Sequence, residues 1–239
     1  MVTVVVQAFR PGVRNLGGSA ESLGYSVPVP VHLVDHPLVH DALIALRGCA
    51  TTPEQFRQAA RRISLLLLAE ALRDLPTTAV KVQTPLYPPA ADGRRVGCDV
   101  VVVPVLRAGL GMLDAVLELV PSARVGHIGL QRDEMTAVAA QYYAKLPGKL
   151  DASYVVMIDP MLATGGSAVA ALEVLRRAGA GTIRMICIVA APEGIALVDE
   201  HFADVRIYTP AVDLGLDARK YIVPGLGDFG DRLYGTYDG

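Results

Sequence analysis

From Asp99 onward the chain alternates short apolar runs with amphipathic stretches. The runs fall at 100–105, 125–130, 154–158, 183–189 and 205–208, and helical spacing falls between most of them, at 111–120, 166–177 and 193–202. Apolar strands with little alternation are strands buried on both faces. The pattern therefore predicts an α/β fold, with a central, mostly parallel sheet flanked by helices. Ligands on such sheets gather at the carboxyl ends of the strands.

The earlier part of the chain is punctuated by helix signals. His36-Pro37 opens a short helix that ends at Arg47-Gly48, with Pro at the first helical position and Gly at the C-terminal cap. Thr52-Pro53-Glu54-Gln55 is a capping box. It starts a longer helix with Phe56, Ala60, Ile63, Leu67 and Ala71 on one face, which stops before Pro76. Capping and surface roles suit His36 and His40 better than site roles. Residues 79–84 read as a strand, followed by a loop with Pro85, Pro88, Pro89 and Asp92-Gly93. The β-branched run at 2–6 reads as an edge strand followed by a loose arm. Residues 1–31 are thus an N-terminal extension of unknown role, and 32–239 a single domain.

Composition narrows the function classes. A length of 239 residues fits one α/β domain and also permits two, and 52% hydrophobic residues support a large core. With 22 basic and 24 acidic residues the net charge is −2, which leaves no electrostatic footprint for nucleic acid and no polybasic membrane patch. Cys49, Cys98 and Cys187 are odd in number and form no CxxC or Cys/His cluster, which argues against structural zinc and for a reducing, cytoplasmic compartment. The longest apolar stretches, of roughly seven or eight residues, fall far short of a membrane span. The N-terminus carries no secretion-signal pattern.

The chemistry concentrates at 158–167, read as IDPMLATGGS. A buried strand ends at Asp159, and a loop with Thr164, Gly165, Gly166 and Ser167 opens a helix whose apolar positions include Ala168, Leu172 and Leu175. Free N–H groups at a helix start bind phosphate. An acid at the strand tip can accept hydrogen bonds from sugar hydroxyls. Together they suit a phosphorylated sugar. The alternative is a plain strand-to-helix turn in which Thr164 or Ser167 caps the helix and nothing binds. Arg107 follows the strand at 100–105, and Arg132 follows the one at 125–130. Two guanidinium groups at neighbouring strand tips suit a polyanion such as pyrophosphate, unless Arg132 pairs with Asp133 or Glu134. A dinucleotide-binding reading of Gly109-Leu110-Gly111 fails at its third glycine, where Asp114 stands. Residues 135–147 read as a mobile arm or hairpin. Residues 221–236, YIVPGLGDFGDRLYGT, read as too glycine-rich for a core element. Such a loop exposes backbone donors and acceptors that suit an imide, with Asp228 adding a carboxylate, or else it merely closes the domain.

Six ordered segments carry a resemblance: DHPLV at 35–39, PVLRAGLGMLD at 104–114, RDE at 132–134, DPMLATGGS at 159–167, AAPEG at 190–194 and YIVPGLGDFGDR at 221–232. In this order they resemble uracil phosphoribosyltransferases. The resemblance implies a type I phosphoribosyltransferase fold with a small hood around the base and a flexible arm. It implies formation of UMP and pyrophosphate from uracil and phosphoribosyl pyrophosphate (PRPP), with Mg²⁺ held mainly by PRPP and water. By resemblance Arg107 and Arg132 contact the pyrophosphate, and Asp159, Pro160, Met161, Leu162, Ala163, Thr164, Gly165, Gly166 and Ser167 hold the ribose 5-phosphate. Tyr221, Ile222, Gly227, Asp228 and Phe229 form the uracil pocket, with Asp228 shared with the donor. Arg107, Arg132 and Asp228 are the catalytic candidates.

Two departures stand out. One acid, Asp159, precedes the phosphate loop where the broad phosphoribosyltransferase fingerprint has two, a form that favours uracil over purine bases. Phe229 stands where many bacterial relatives carry Ala, which leaves pocket size dependent on where its ring points. With no His or Cys poised as nucleophile, no covalent enzyme intermediate is expected. Some members are activated by GTP, and no residue here decides that. Homodimers or homotetramers are usual. The competing readings are a phosphoribosyltransferase for another base and a non-catalytic nucleotide-sensing relative.

Overall fold

The computed structural model describes residues 31–86, 90–132 and 139–236, the side chains of 132, 139 and 140 excepted. The expected strand at 2–6 and the residues Pro88, Pro89, Asp133 and Glu134 lie outside the described residues. The described residues open with β1 (Val31–Leu33), α1 (Pro37–Arg47) and α2 (Pro53–Ala71). His36 caps α1, its Nδ1 accepting from the Leu38 N–H at 3.1 Å. Thr52 and Gln55 form the expected capping box on α2. An antiparallel hairpin follows, β2 (Thr77–Val82) with β3 (Ala91–Val96). Asp92-Gly93, expected in a loop, sits inside β3 opposite Lys81 and Val80, because β2 ends early enough for the chain to return beside it.

The main sheet is then laid down by β4 (Asp99–Leu106), β5 (Arg124–Val125), β6 (His127–Arg132), β7 (Ala139–Lys145), β8 (Ser153–Ile158), β10 (Thr182–Ile186) and β12 (Arg206–Thr209), with α3 (Leu110–Leu119), α4 (Gly166–Arg177) and α5 (Pro192–Phe202) between strands. Its order is β1-β12-β10-β8-β4-β6-β7, with β5 beside β4. Every pairing is parallel except β6 with β7, which makes a hairpin of the expected arm. The tips of β4, β6, β8 and β10 therefore share one edge.

Alternation along the strands splits the core. Val100, Val102, Val156 and Ile158 face a cluster with Phe56, Ile63, Leu67, Met112 and Leu233; Val101, Val103, Val155 and Met157 face a cluster with Leu172, Leu175, Ile195 and Val198. Both faces are covered, as the apolar runs require. At the amino edge Asp74 accepts from the Tyr154 hydroxyl at 2.5 Å and from Arg184 at 2.8 Å, tying the chain after α2 to β8 and β10. That charge cluster lies across the sheet from the tips named above.

Two short pieces depart from the expected strands. The run at 183–189 breaks after Ile186, because the Ile188 and Val189 N–H groups turn to the Pro160 carbonyl, at 2.9 and 3.1 Å. Val189 then opens β11 (Val189–Ala190), paired with β9 (Met161–Leu162). The second departure is larger. Residues 221–236 are not a coreless loop: they hold β14 (Ile222–Val223), which pairs with β13 (Gly215–Leu216), and a helix, α6 (Phe229–Tyr234). Ile222, Leu226, Phe229 and Leu233 are all buried.

Phe56, fully buried, meets the ring of Phe229 edge-on at 5.1 Å between centroids, with the Arg232 guanidinium 4.5 Å above its own ring. Phe56→Ala is expected to lower the unfolding free energy by about 3–5 kcal/mol in urea titrations. A loss under about 1 kcal/mol would show that α6 does not lean on this ring.

Candidate active site

The carboxyl edge gathers the residues that the sequence singles out. Asp159 immediately follows β8, and its carboxylate accepts from the Met161 N–H at 3.4 Å. Burial pushes its pKa up to about 7, against the smaller pull of that hydrogen bond. Pro160 and Leu162 are buried, and their carbonyls accept from Ile188, Val189 and Ala191, so these two residues brace the loop against β11. The cap of α4 is Gly165, at φ +84° and without a side-chain cap bond, so neither Thr164 nor Ser167 serves as the capping residue. A Cβ at Gly165 would stand 2.9 Å from the Gly194 carbonyl, so α5 presses on this turn and only glycine fits. The first N–H groups of α4 open toward the loop.

Arg107 follows the tip of β4. Its side chain is 65% exposed, with Nη2 3.7 Å from Asp231 Oδ1, while the Tyr234 hydroxyl donates to its backbone carbonyl at 3.4 Å. α6 thus stands beside the Arg107 loop. The closeness rests on Gly111, where a Cβ would meet Leu233 Cδ2 at 2.7 Å and Phe229 Cε1 at 3.0 Å. A small residue at 111 thus admits the close approach of α6. Arg132 ends β6 three residues past Gly129, the partner of Leu106, so its backbone lies at the same edge. Its side chain lies outside the described residues.

The segment from Tyr221 to Tyr234 is held down by arginines. Arg47 donates to both oxygens of Asp213, at 2.9 and 2.6 Å, and to the Gly225 carbonyl at 2.7 Å. Arg232 donates to the carbonyls of Leu46, Gly48 and Leu226. Asp228 caps α6, accepting from the Asp231 N–H at 2.9 Å. Phe229 is 1% exposed and its ring packs on Phe56 in the core, so the bulk of the side chain is taken up there.

These loops enclose one cleft of about 220 Å³, lined by Met161 and Ala163 of the phosphate loop, Ala108 of the arginine loop, and Tyr221, Ile222, Gly227, Asp228 and Phe229. Three stretches far apart in sequence therefore share one concavity. Ala108, Lys220 and Gly230 also line it and escape sequence reasoning. The first and last are small residues with no chemical signal, and Lys220 looks like any surface lysine. Among the described residues no cluster of three or more His, Cys, Asp or Glu side chains could hold a metal.

Residues 33–236 match the family model described as uracil phosphoribosyltransferase. The chain belongs to that family. It is 49% identical over 207 residues to the uracil phosphoribosyltransferase of Rhodococcus opacus, covering 86% of this chain and 98% of the relative. It is 50% identical to that of Dictyoglomus turgidum, covering 86% and 99%. A solved structure, that of the AQ2163 protein from Aquifex aeolicus, superposes with a TM-score of 0.81 at 36% identity, over 85% of this chain and 97% of that one. The α/β sheet expected of a type I phosphoribosyltransferase is the one observed. All six motif segments, from Asp35 to Arg232, fall within the matched span.

The Asp159 environment has a consequence for stability. An acid whose folded pKa of about 7 exceeds its unfolded value of about 4 resists ionisation in the fold. The resulting penalty is absent below pH about 4, grows as pH rises to about 7, and is full above that. Asp159→Asn removes it, so the rise in Tm over the parent is expected to be larger at pH 8 than at pH 5. An equal rise at both would contradict the buried-acid reading.

Proposed function

We propose that the protein transfers the 5-phosphoribosyl group from PRPP to N1 of uracil, releasing UMP and pyrophosphate, in pyrimidine salvage. The observation that carries this is the single cleft bounded by the phosphate loop, the Arg107 loop and the segment from Tyr221 to Phe229. In this reading the 5-phosphate takes the N–H groups at the start of α4, from Thr164 to Ser167. Asp159 accepts hydrogen bonds from the ribose hydroxyls. Arg107 and Arg132 stabilise the charge that builds on the departing pyrophosphate. Uracil lies against the backbone of Ile222 and Gly227 to Phe229, which holds N1 in line with the sugar carbon.

Mg²⁺ belongs to the same proposal. Hard oxygen donors bind it, and it usually keeps several waters while bridging substrate phosphates. The sparse acids at this edge, Asp159 and Asp228, fit an ion carried by PRPP rather than caged by protein. Bound there, it would neutralise pyrophosphate charge. No covalent enzyme intermediate is proposed. Among the described residues lining the cleft there is no serine, cysteine or histidine. The nearby Cys187 is fully buried, and burial pushes its thiol up to about 12, far from the thiolate form.

Pyrophosphate release from PRPP with each nucleobase in turn tests the reading. Uracil is expected to yield UMP. Release with a purine alone would point to another base, and release with none to a non-catalytic relative. Cytosine is expected to give no CMP, because its exocyclic amine reverses one donor–acceptor pair against a fixed backbone. Efficient CMP formation would refute the pocket assignment. Arg107→Ala is expected to lower UMP formation by about 10²–10³-fold with the fold intact. Unchanged turnover would remove Arg107 from its role.

A further inference from the structure

Lys220 lines the cleft beside Tyr221, Ile222 and Asp228, and it is the only basic residue among those lining it. Its backbone sits at φ +69°. That is left-handed space, which strains a side-chain-bearing residue and is normally left to glycine. The conformation is not a loose end. The Asp217 carboxylate accepts from the Arg219 and Tyr221 N–H groups at 2.8 and 2.9 Å. The Lys220 N–H donates to the Asp217 carbonyl at 3.0 Å, and the Asp217 N–H to the Tyr221 carbonyl at 2.9 Å. This turn joins β13 to β14, and β14 carries Ile222 into the core. Among the described residues the Lys220 ammonium makes no ion pair. A strained, well-anchored lysine at the mouth of a binding cleft, with its charge unspent inside the protein, marks a position held for a ligand.

We propose that Lys220 is a base-facing residue whose ammonium donates a hydrogen bond to a ring carbonyl oxygen of the pyrimidine. This rests on the uracil reading and deepens it. As N1 bonds to the sugar carbon, the carbon–oxygen bond to pyrophosphate breaks and its electron pair leaves with the pyrophosphate. The N1 proton passes to solvent water. Negative charge released at N1 spreads onto the adjacent carbonyl, where a cation stabilises it. Lys220 stays protonated throughout and acts by charge and hydrogen bonding. It also favours bases that present a carbonyl acceptor there.

Steady-state kinetics of Lys220→Gly with uracil and with 5-fluorouracil test this. Fluorine makes the ring N–H groups more acidic, so that base needs less help from a cation. Glycine suits the positive φ, so the variant is expected to match or exceed the parent Tm. Its kcat/KM for uracil is expected to fall about tenfold, the loss of one charge-assisted hydrogen bond, and that for 5-fluorouracil less than about threefold. Lys220→Arg is expected to restore most of the activity. Equal losses for the two bases, or none, with an active parent would overturn the role of Lys220 and leave the uracil reading standing. A parent that makes no UMP would overturn both.

Discussion

The site depends on an apolar contact. The Phe229 ring lies on Phe56, and Gly111 lets α6 close against α3. Together these contacts set the Gly227–Phe229 segment beside the Arg107 loop. An aromatic pair of this kind is worth about 0.5–1.5 kcal/mol beyond the area it buries. It is also directional, because turning the ring inward leaves the Gly227–Phe229 backbone facing the cleft. The arginine clamps from Arg47 and Arg232 then fix the same segment to the end of α1. Apolar packing chooses the position, and the part-buried Arg47–Asp213 pair with arginine hydrogen bonds to backbone carbonyls holds it.

The sheet divides the labour between its edges. At the amino edge, Asp74 accepts from Arg184 and Tyr154 and ties the end of α2 to the strands. At the carboxyl edge, charge is left less matched: Asp159 is pushed toward neutrality by burial, and among the described residues Arg107 has one distant carboxylate, 3.7 Å away. In the proposed reaction a polyanionic sugar donor would supply what that edge lacks. The same physics that stabilises one end of the strands thus leaves the other ready for a ligand.

Much of this was legible in the sequence. Strand runs without alternation gave a sheet covered on both faces, and His36-Pro37 and Thr52 to Gln55 marked two helix starts through hydrogen bonds local enough to read by spacing. Asp159, Gly165 and Arg107 came from strand ends and from motif resemblance. What escaped depends on distant pairs. The Arg47–Asp213 clamp spans 166 residues, and no local pattern announces it. α6 was hidden because glycines at 225, 227, 230 and 235 suggest a loop, whereas Phe229 and Leu233 find their burial on α2 and α3. Lys220 carried no signal until its backbone angle and its place at the cleft were seen together.

The most direct measurement is a crystal structure with UMP bound. The account expects the phosphate on the N–H groups at the start of α4 and the uracil ring against the backbone of Gly227 to Phe229, in the same cleft. A ring bound elsewhere, or a segment from Tyr221 to Thr236 turned away from the nucleotide, would contradict it.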